Sequence, residues 1–406
     1  MLHMAEVVPE ADARNLQQFL THSKWDARRV MDQVAQEANE LLGDTQEACL
    51  LLDESGFAKQ GKKSVGVARQ WLGRYGKVDN GQMGVFGVLC QGVRAVLVDA
   101  RLYLPKEWTE DPQRCREAGV PESEGHFRTK DQLAVEIILH ARKQGLKFGW
   151  VGADAGYGKS PETFYRLAEL EEKFLIDVPS DFSVYLADPQ PTLPKPGKRG
   201  RPAVQWQTDR TKWAARRLKG LADPQAWRVV QARHTTRGAL ELRAWRRVVY
   251  IWDPSHPVGL RLTLLVTENL DGTERKYTLT NVPETTSLPR VVFQQRQRYW
   301  VERVFEDGKG ECGMADYQVQ KWSGWHHHMA LVMMAMLFML TERIEQGESY
   351  PLLSCADIET LLARFLPRRD LDETEVIRQV VERHRRRRQA IESHARRGKE
   401  RHKRGG

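Results

Sequence analysis

The order in which strand-length and helix-length apolar runs follow one another between residues 48 and 179 constrains this chain more than any other feature. Three short runs come first: "ACLLLD" (48–53), "MGVFGVLC" (83–90) and "RAVLVDARLYL" (94–104). Gly-rich turns separate the first two, and the three read as consecutive antiparallel strands. "TKDQLAVEIILHARKQG" (129–145) has helical spacing, with Thr129 placed to cap its start and Gly145 to stop it. "FGWVGAD" (148–154) is then a strand. "SPETFYRLAELEEK" (160–173) is a helix capped by Ser160 with Pro161 at its first position, and "FLIDVP" (174–179) is a further strand.

Three strands, helix, strand, helix, strand is the order of a ribonuclease-H-like α/β fold, a mixed sheet flanked by helices. In that topology the first and fourth strands lie side by side at the centre. The acids that end them, Asp53 and Asp154, then become neighbours although 101 residues separate them. Ligands of open α/β sheets gather at such strand ends.

The flanking segments have other patterns. Residues 1–45 read as helices, "DARNLQQFLTHS" and "WDARRVMDQVAQEANELLG", the second stopped by Gly43. "PQPTLPKPGKRGRPA" (189–203) is basic and rich in Pro and Gly, the composition of an exposed linker. Residues 204–290 hold four β-like runs, "AWRVVQAR", "LELRAWRRVVYIW", "GLRLTLLVTE" and "KYTLTNV", with tryptophans at 206, 213, 227, 245 and 252. Helical pattern returns near residue 291. The expected organisation is a helical region (1–45), the first part of the core (46–188), a β-rich insertion (189–290), the second part of the core (291–345) and a helical basic region (346–406).

A chain of 406 residues is long enough for two or three domains. Its most apolar run, "MALVMMAMLFML" (329–340), falls short of the roughly 20 residues a bilayer requires, so it reads as a buried helix and no membrane association is expected. The start, "MLHMAEVVPEADAR", carries acids where a signal peptide would be apolar. Five cysteines without a C-x-x-C pair point to the reducing cytoplasm and away from disulfides and structural zinc. The net charge of +9 is concentrated at one end. Residues 378–406 hold 12 Lys and Arg against 3 Asp and Glu, and the remainder balances at 51 against 51. A basic arm of this kind binds nucleic-acid phosphates without reading sequence.

The later stretch "QQRQRYWVERVFEDGKGECGM" (294–314) carries the densest chemistry. On a helix, Arg298, Glu302 and Lys309 fall within roughly 40° of one another, which places a carboxylate between two cations on one stripe. Glu306, Asp307 and Glu311 are the competing acids nearby. Asp99, in "VLVDARLYLP", reads as structural.

At this point a resemblance becomes visible. "LLDESGFAKQGKKSVGVARQWLGRYGKVDNGQMGVF", "RLYLPKEWTEDPQRCREAGVP", "GADAGYG" and "RYWVERVFEDGKGECGMADYQVQKWSGWHHHMAL" resemble the DDE transposases of bacterial insertion sequences, and within them insertion-sequence family seven-oh-one. The likeness spans about residues 50–340. It implies a catalytic Asp-Asp-Glu set at Asp53, Asp154 and Glu302, and it accounts for a β insertion between the second Asp and the Glu. The related Tyr-x2-Arg-x3-Glu-x6-Lys signature is matched at Arg298, Glu302 and Lys309 and departs at its Tyr, which is Gln295 here. A second departure is the helical region before Asp53, shorter than family members commonly carry, as in a truncated or internal start.

The resemblance implies double-stranded DNA as substrate, both as element ends and as target. It implies cleavage that frees 3′-OH groups, their transfer to target DNA, and a homodimer in a synaptic complex. Two Mg²⁺ ions about 4 Å apart, for which Mn²⁺ can substitute, would activate the nucleophile and stabilise the leaving oxygen. Asp53 would bridge them, with Asp154 and Glu302 on either side. Lys59, Lys62 and Lys63 would lie along incoming phosphates, as would Arg298 and Lys309. The run His326–His328 cannot converge on one ion from adjacent helical positions and reads as polar helix-start residues near DNA. Trp227, Trp245 and Trp252 read as sheet core before they read as base-stacking platforms. Two alternatives stay open: a catalytically silent DNA-binding descendant of such an element, and a host nuclease.

Overall fold

The computed structural model of the 406-residue chain describes residues 2–194, 205–221, 223–235 and 238–404, so most of the Pro- and Gly-rich basic segment lies outside the described residues. In chain order the first elements are α1 (Leu2–Val7), α2 (Ala13–Thr21), α3 (Ala27–Leu42), β1 (Asp44–Ala58), β2 (Ala68–Leu72), β3 (Lys77–Gln91) and β4 (Arg94–Leu102). Next come α4 (Lys106–Thr109), α5 (Pro112–Ala118), α6 (Lys130–Lys143), β5 (Phe148–Ala153), α7 (Pro161–Glu169), β6 (Phe174–Val178), β7 (Ser183–Tyr185) and β8 (Lys212–Ala214). The remainder is β9 (Arg228–Thr235), β10 (Gly238–Ile251), β11 (Leu260–Asn269), β12 (Arg275–Thr280), α8 (Leu288–Arg296), α9 (Tyr299–Gly310), α10 (Trp322–Glu345), α11 (Cys355–Phe365) and α12 (Glu373–Arg404).

Two compact units result: Met1–Trp25 with Asp357–Gly406, and Asp26–Ala356. In the smaller one, the Arg369 amide donates to the Val7 carbonyl (2.7 Å), its guanidinium donates to the Ala11 carbonyl (2.8 Å), and Arg383 pairs with Glu6 (2.7 Å). The basic arm forms α12, where Glu375 and Glu382 pair with Arg378, Arg385 and Arg386 within one turn.

The larger unit is built on one mixed sheet. Among the described residues its order is β2-β3-β1-β5-β6-β12-β11-β10-β7-β8, with β4 on β3 and β9 on β10. β1 is central because Ala48–Leu52 is apolar on both faces and fully buried, the composition of a strand covered on both sides. It runs antiparallel to β3 from Ala48↔Gln91 to Ala58↔Gly81 and parallel to β5 from Cys49↔Trp150 to Leu52↔Ala153. The two strands expected to be neighbours are therefore adjacent. β5 in turn pairs parallel with β6, ending at Ala153↔Ile176. α3 and α10 pack on each other and on β4, α6 on β3 and β4, and α9 on β1, β3 and β4.

Local signals set most boundaries. Thr129 and Gln132 form a reciprocal capping box at the start of α6, and Ser160 caps α7 with Pro161 at its first position. α7 ends earlier than its apolar spacing suggests, because Glu171 adopts a left-handed φ of 56°. β1 continues past Asp53 to Ala58 because β3 keeps pairing with it there. β2, α4 and α5 were not foreseen, being short and without apolar periodicity. The stretch 294–314 is two helices rather than one. Between α8 and α9 the amides of Gln297, Trp300 and Val301 each donate three residues back, to Gln294, Gln297 and Arg298.

The four β-like runs after residue 204 form β9–β12 and continue the same sheet, since β12 pairs antiparallel with β6 through Ile176↔Leu279 and Asp177↔Thr278. Trp245 is buried, Trp227 stacks on it at 6.3 Å, and Trp252 donates to the His256 carbonyl (2.9 Å). The apolar run 329–340 lies within α10, and among the described residues no helix is long and apolar enough to cross a membrane. All five cysteines are free.

Candidate active site

The parallel pairing of β1, β5 and β6 stops at one level. Leu52 faces Ala153, which faces Ile176, so the next residue on each strand is an aspartate: Asp53, Asp154 and Asp177. Residues level on neighbouring parallel strands point to the same face, so three carboxylates form a row across the centre of the sheet. Asp154 is the first residue beyond β5. Its loop is shaped by glycine: the Gly156 amide donates to Asp154 Oδ1 (2.8 Å), and a Cβ at Gly158 would collide with the Asp177 carbonyl.

Burial raises the Asp53 carboxyl to about 7, with the Asp154 charge adding to the shift. The Arg298 guanidinium and the Glu54 amide, which donates to Asp53 Oδ1 (2.7 Å), oppose it. Arg298 occupies the turn before α9 and reaches three carboxylates. Its Nη1 lies 3.4 Å from Asp53 Oδ2, its Nη2 2.8 Å from Glu302 Oε1, and its Nε 3.8 Å from Asp177 Oδ2. Glu302 sits in the first turn of α9, with its side chain 57% exposed against 14% for Asp53. Asp53, Asp154 and Glu302 line one cavity of about 920 Å³, together with Glu54, Arg74 and Lys309 among others. Among the described residues, no three His, Cys, Asp or Glu side chains are placed to hold a metal ion. The guanidinium of Arg298 instead ties Asp53 to Glu302.

The cations expected along the substrate divide into groups. Lys309 lines the acid cavity, and burial lowers its pKa, with nearby Arg74 adding to the effect. Lys59 is committed elsewhere: its ammonium donates to the Tyr317 carbonyl (2.7 Å) and lies 3.3 Å from that ring's centroid, and burial lowers its pKa to about 8. Lys62 and Lys63 are exposed and line a different recess with Arg114 and Lys321. Of the competing acids, Asp307 pairs with Arg303 (3.0 Å), and Asp99 is buried against Arg28 (2.7 Å) and Arg101 (3.2 Å).

The histidine run is not a DNA-facing helix start. His326 directs Nδ1 at the Trp322 carbonyl (2.9 Å) and His328 directs Nε2 at the Gly313 carbonyl (3.1 Å). Burial lowers both to about 4, which keeps them neutral donors inside the fold.

Sequence reasoning missed Asp177 and the buried polar chain behind it. Thr278 Oγ1 donates to Asp177 Oδ1 (2.5 Å), Gln295 Nε2 donates to Thr278 Oγ1 (2.6 Å), and Thr267 Oγ1 donates to Gln295 Oε1 (3.0 Å). The available signal was an acid inside the apolar run "FLIDVP", and the departure from the Tyr signature at Gln295 marks a member of this chain. It also missed Tyr157, in the loop after Asp154. Among the described residues its buried hydroxyl has no hydrogen-bond partner, and burial together with the charges of Glu54, Asp53, Asp154 and Asp131 holds its pKa well above the phenol range.

Over 320 residues the chain is 27% identical to the probable transposase for insertion sequence element IS701 from Microchaete diplosiphon, covering 78% of this chain and 71% of that one. Among solved structures it matches the NurA nuclease from Sulfolobus solfataricus at 8% identity and a TM-score of 0.27, over 84% of this chain and 100% of that one, a likeness too weak to bear on the fold. The family model of the DDE superfamily endonucleases matches residues 1–249, more than half of the chain and inclusive of Asp53 and Asp154, and the protein belongs to that family.

Proposed function

We propose that this protein is the transposase of an insertion sequence, cutting double-stranded DNA at the element's ends and joining the freed 3′-OH groups to target DNA. The observation that carries the reading is the convergence of Asp53, Asp154 and Glu302 on one cavity from β1, the end of β5 and α9, across separations of 101 and 148 residues. Water attacks the phosphorus at the element end and the bond to the 3′ oxygen breaks. The freed 3′-OH then attacks a target phosphodiester in the same site.

A ribonuclease-H-like core is supported by the strand order β4-β3-β1-β5-β6, with β1 antiparallel to β3 and parallel to β5. In this reading 189–290 is an insertion between the second Asp and the Glu, and 346–406 a basic region for DNA.

The donor set fits a hard divalent cation. It is all carboxylate, without sulfur or imidazole, and it holds Asp154 close enough for its charge to oppose the ionisation of Asp53. Asp53, Asp154 and Glu302 would hold Mg²⁺, or Mn²⁺ in its place. When bound, the ions neutralise charge at the phosphate and activate the attacking hydroxyl. Arg298 and Lys309 supply fixed positive charge for the flanking phosphates. Joining two ends requires two copies, hence a homodimer in the synaptic complex.

The test is cleavage of two duplexes in Mg²⁺, one carrying the DNA that flanks this gene and one unrelated. Cuts confined to the boundaries of the flanking DNA are expected. Equal cutting of both duplexes would identify a nuclease instead, and binding without cutting a silent descendant.

A further inference from the structure

Asp177 lies level with Asp53 and Asp154 but belongs to neither side of the Asp-Asp-Glu set. Its surroundings are built with care. Oδ1 accepts from Thr278, which accepts from Gln295, which accepts from Thr267. Thr278 and Thr267 are fully buried and Gln295 is 6% exposed, so the chain is sealed between β6, β12, β11 and α8. With Oδ1 so anchored, Oδ2 faces Arg298 Nε at 3.8 Å, and among the described residues that Nε is buried with no hydrogen-bond partner. The separation suits an ion pair but is too long for a hydrogen bond.

Arg298 has three anionic neighbours, and two of them, Asp53 and Glu302, are the groups proposed to hold metal. A guanidinium tied to both competes with a divalent ion for the same oxygens. Once those carboxylates turn to metal, Asp177 is the anion left to Arg298. We propose that Asp177, anchored through Thr278 and Gln295, is a positioning residue that draws Arg298 off the metal-binding acids and holds it as a fixed cation for a substrate phosphate. The assignment rests on the metal reading of Asp53, Asp154 and Glu302. It also gives the β-rich segment a part in the site, since β11 and β12 supply two members of the chain.

The experiment is a double-mutant cycle on the full-length protein, read by Mn²⁺ titration calorimetry without DNA and by the Mg²⁺ concentration for half-maximal cleavage. Asp177→Asn keeps the acceptor for Thr278 and removes the charge. It should weaken Mn²⁺ binding by about tenfold, the usual scale for groups that orient metal ligands. The Mg²⁺ midpoint should rise by a similar factor. Arg298→Gln should tighten Mn²⁺ binding by removing the competitor, and in that background Asp177→Asn should have no further effect. Thr278→Val, with a melting curve as a check on folding, should shift the midpoint in the same direction by a smaller factor. A tenfold loss that persists in the Arg298→Gln background would reduce Asp177 to one more nearby charge and overturn the proposal, as would an unchanged midpoint in Asp177→Asn. A wild-type protein that cuts its ends but whose Mn²⁺ binding ignores Arg298→Gln would overturn the proposal and leave the transposase reading intact. A wild-type protein that neither binds Mn²⁺ nor cuts would remove the metal reading, and this assignment with it.

Discussion

Asp53 and Asp154 stand side by side one step beyond Leu52↔Ala153, the last parallel pair between β1 and β5. Two carboxylates so placed, one raised to about 7 by burial and by the other's charge, have opposite preferences with and without a cation. Protons and divalent ions therefore compete at Asp53. Mn²⁺ affinity should fall progressively as pH drops below about 7, because the acid form of Asp53 gains population there. Calorimetry from pH 8 to pH 5.5 checks this, and an affinity flat across that range would show that Asp53 is not a ligand.

Two half-buried histidines, shifted down where Asp53 is shifted up, give a stability prediction. His326 and His328 titrate near 4 in the folded chain against the usual 6.5, so the unfolded chain takes up their protons first as pH falls. Their contribution is complete above about 6.5 and is lost between there and about 4. Melting temperature should drop over that window, and the drop should be shallower in His328→Gln. An equally steep drop in that variant would place the acid lability elsewhere.

Removing residues 378–406 takes away 12 Lys and Arg and 3 Asp and Glu. DNA affinity should weaken for all sequences alike, and its dependence on salt should become less steep as fewer counterions are released. Binding isotherms at several salt concentrations measure the slope, and an unaltered slope would exclude the arm from the interface.

Lys309→Gln should weaken binding of cleavable ends and lower the cleavage rate, because its ammonium lines the cavity of the three acids. Lys59→Gln should instead lower the melting temperature, since that ammonium serves the Tyr317 carbonyl and ring. Parallel binding and melting assays separate the two, and a reversed pattern would reassign both lysines.

Much of the core was legible in the sequence because local rules governed it. Capping residues fixed the starts of α6 and α7, and apolar runs marked β1, β3–β6 and β9–β12. What was missed depends on contacts across the fold. The row Asp53, Asp154, Asp177 is a matter of strand register, which no local pattern announces for an acid inside "FLIDVP". The commitment of Lys59 to Tyr317 and of His328 to Gly313 joins residues 258 and 15 positions apart. The turn at Gln297 and Arg298, which breaks the expected single helix, places Arg298 among three carboxylates instead of on one stripe of a continuous helix.

The central claim is that Asp53, Asp154 and Glu302 act as one set on a phosphodiester. The most direct measurement is Mg²⁺-dependent cleavage of end DNA by Asp53→Asn, Asp154→Asn and Glu302→Gln, with DNA binding measured on the same preparations. Each variant should lose cleavage to background while binding DNA within a few-fold of the wild-type protein, because these groups serve metal rather than phosphate. Substantial Mg²⁺-dependent cleavage by any one of the three would contradict the account.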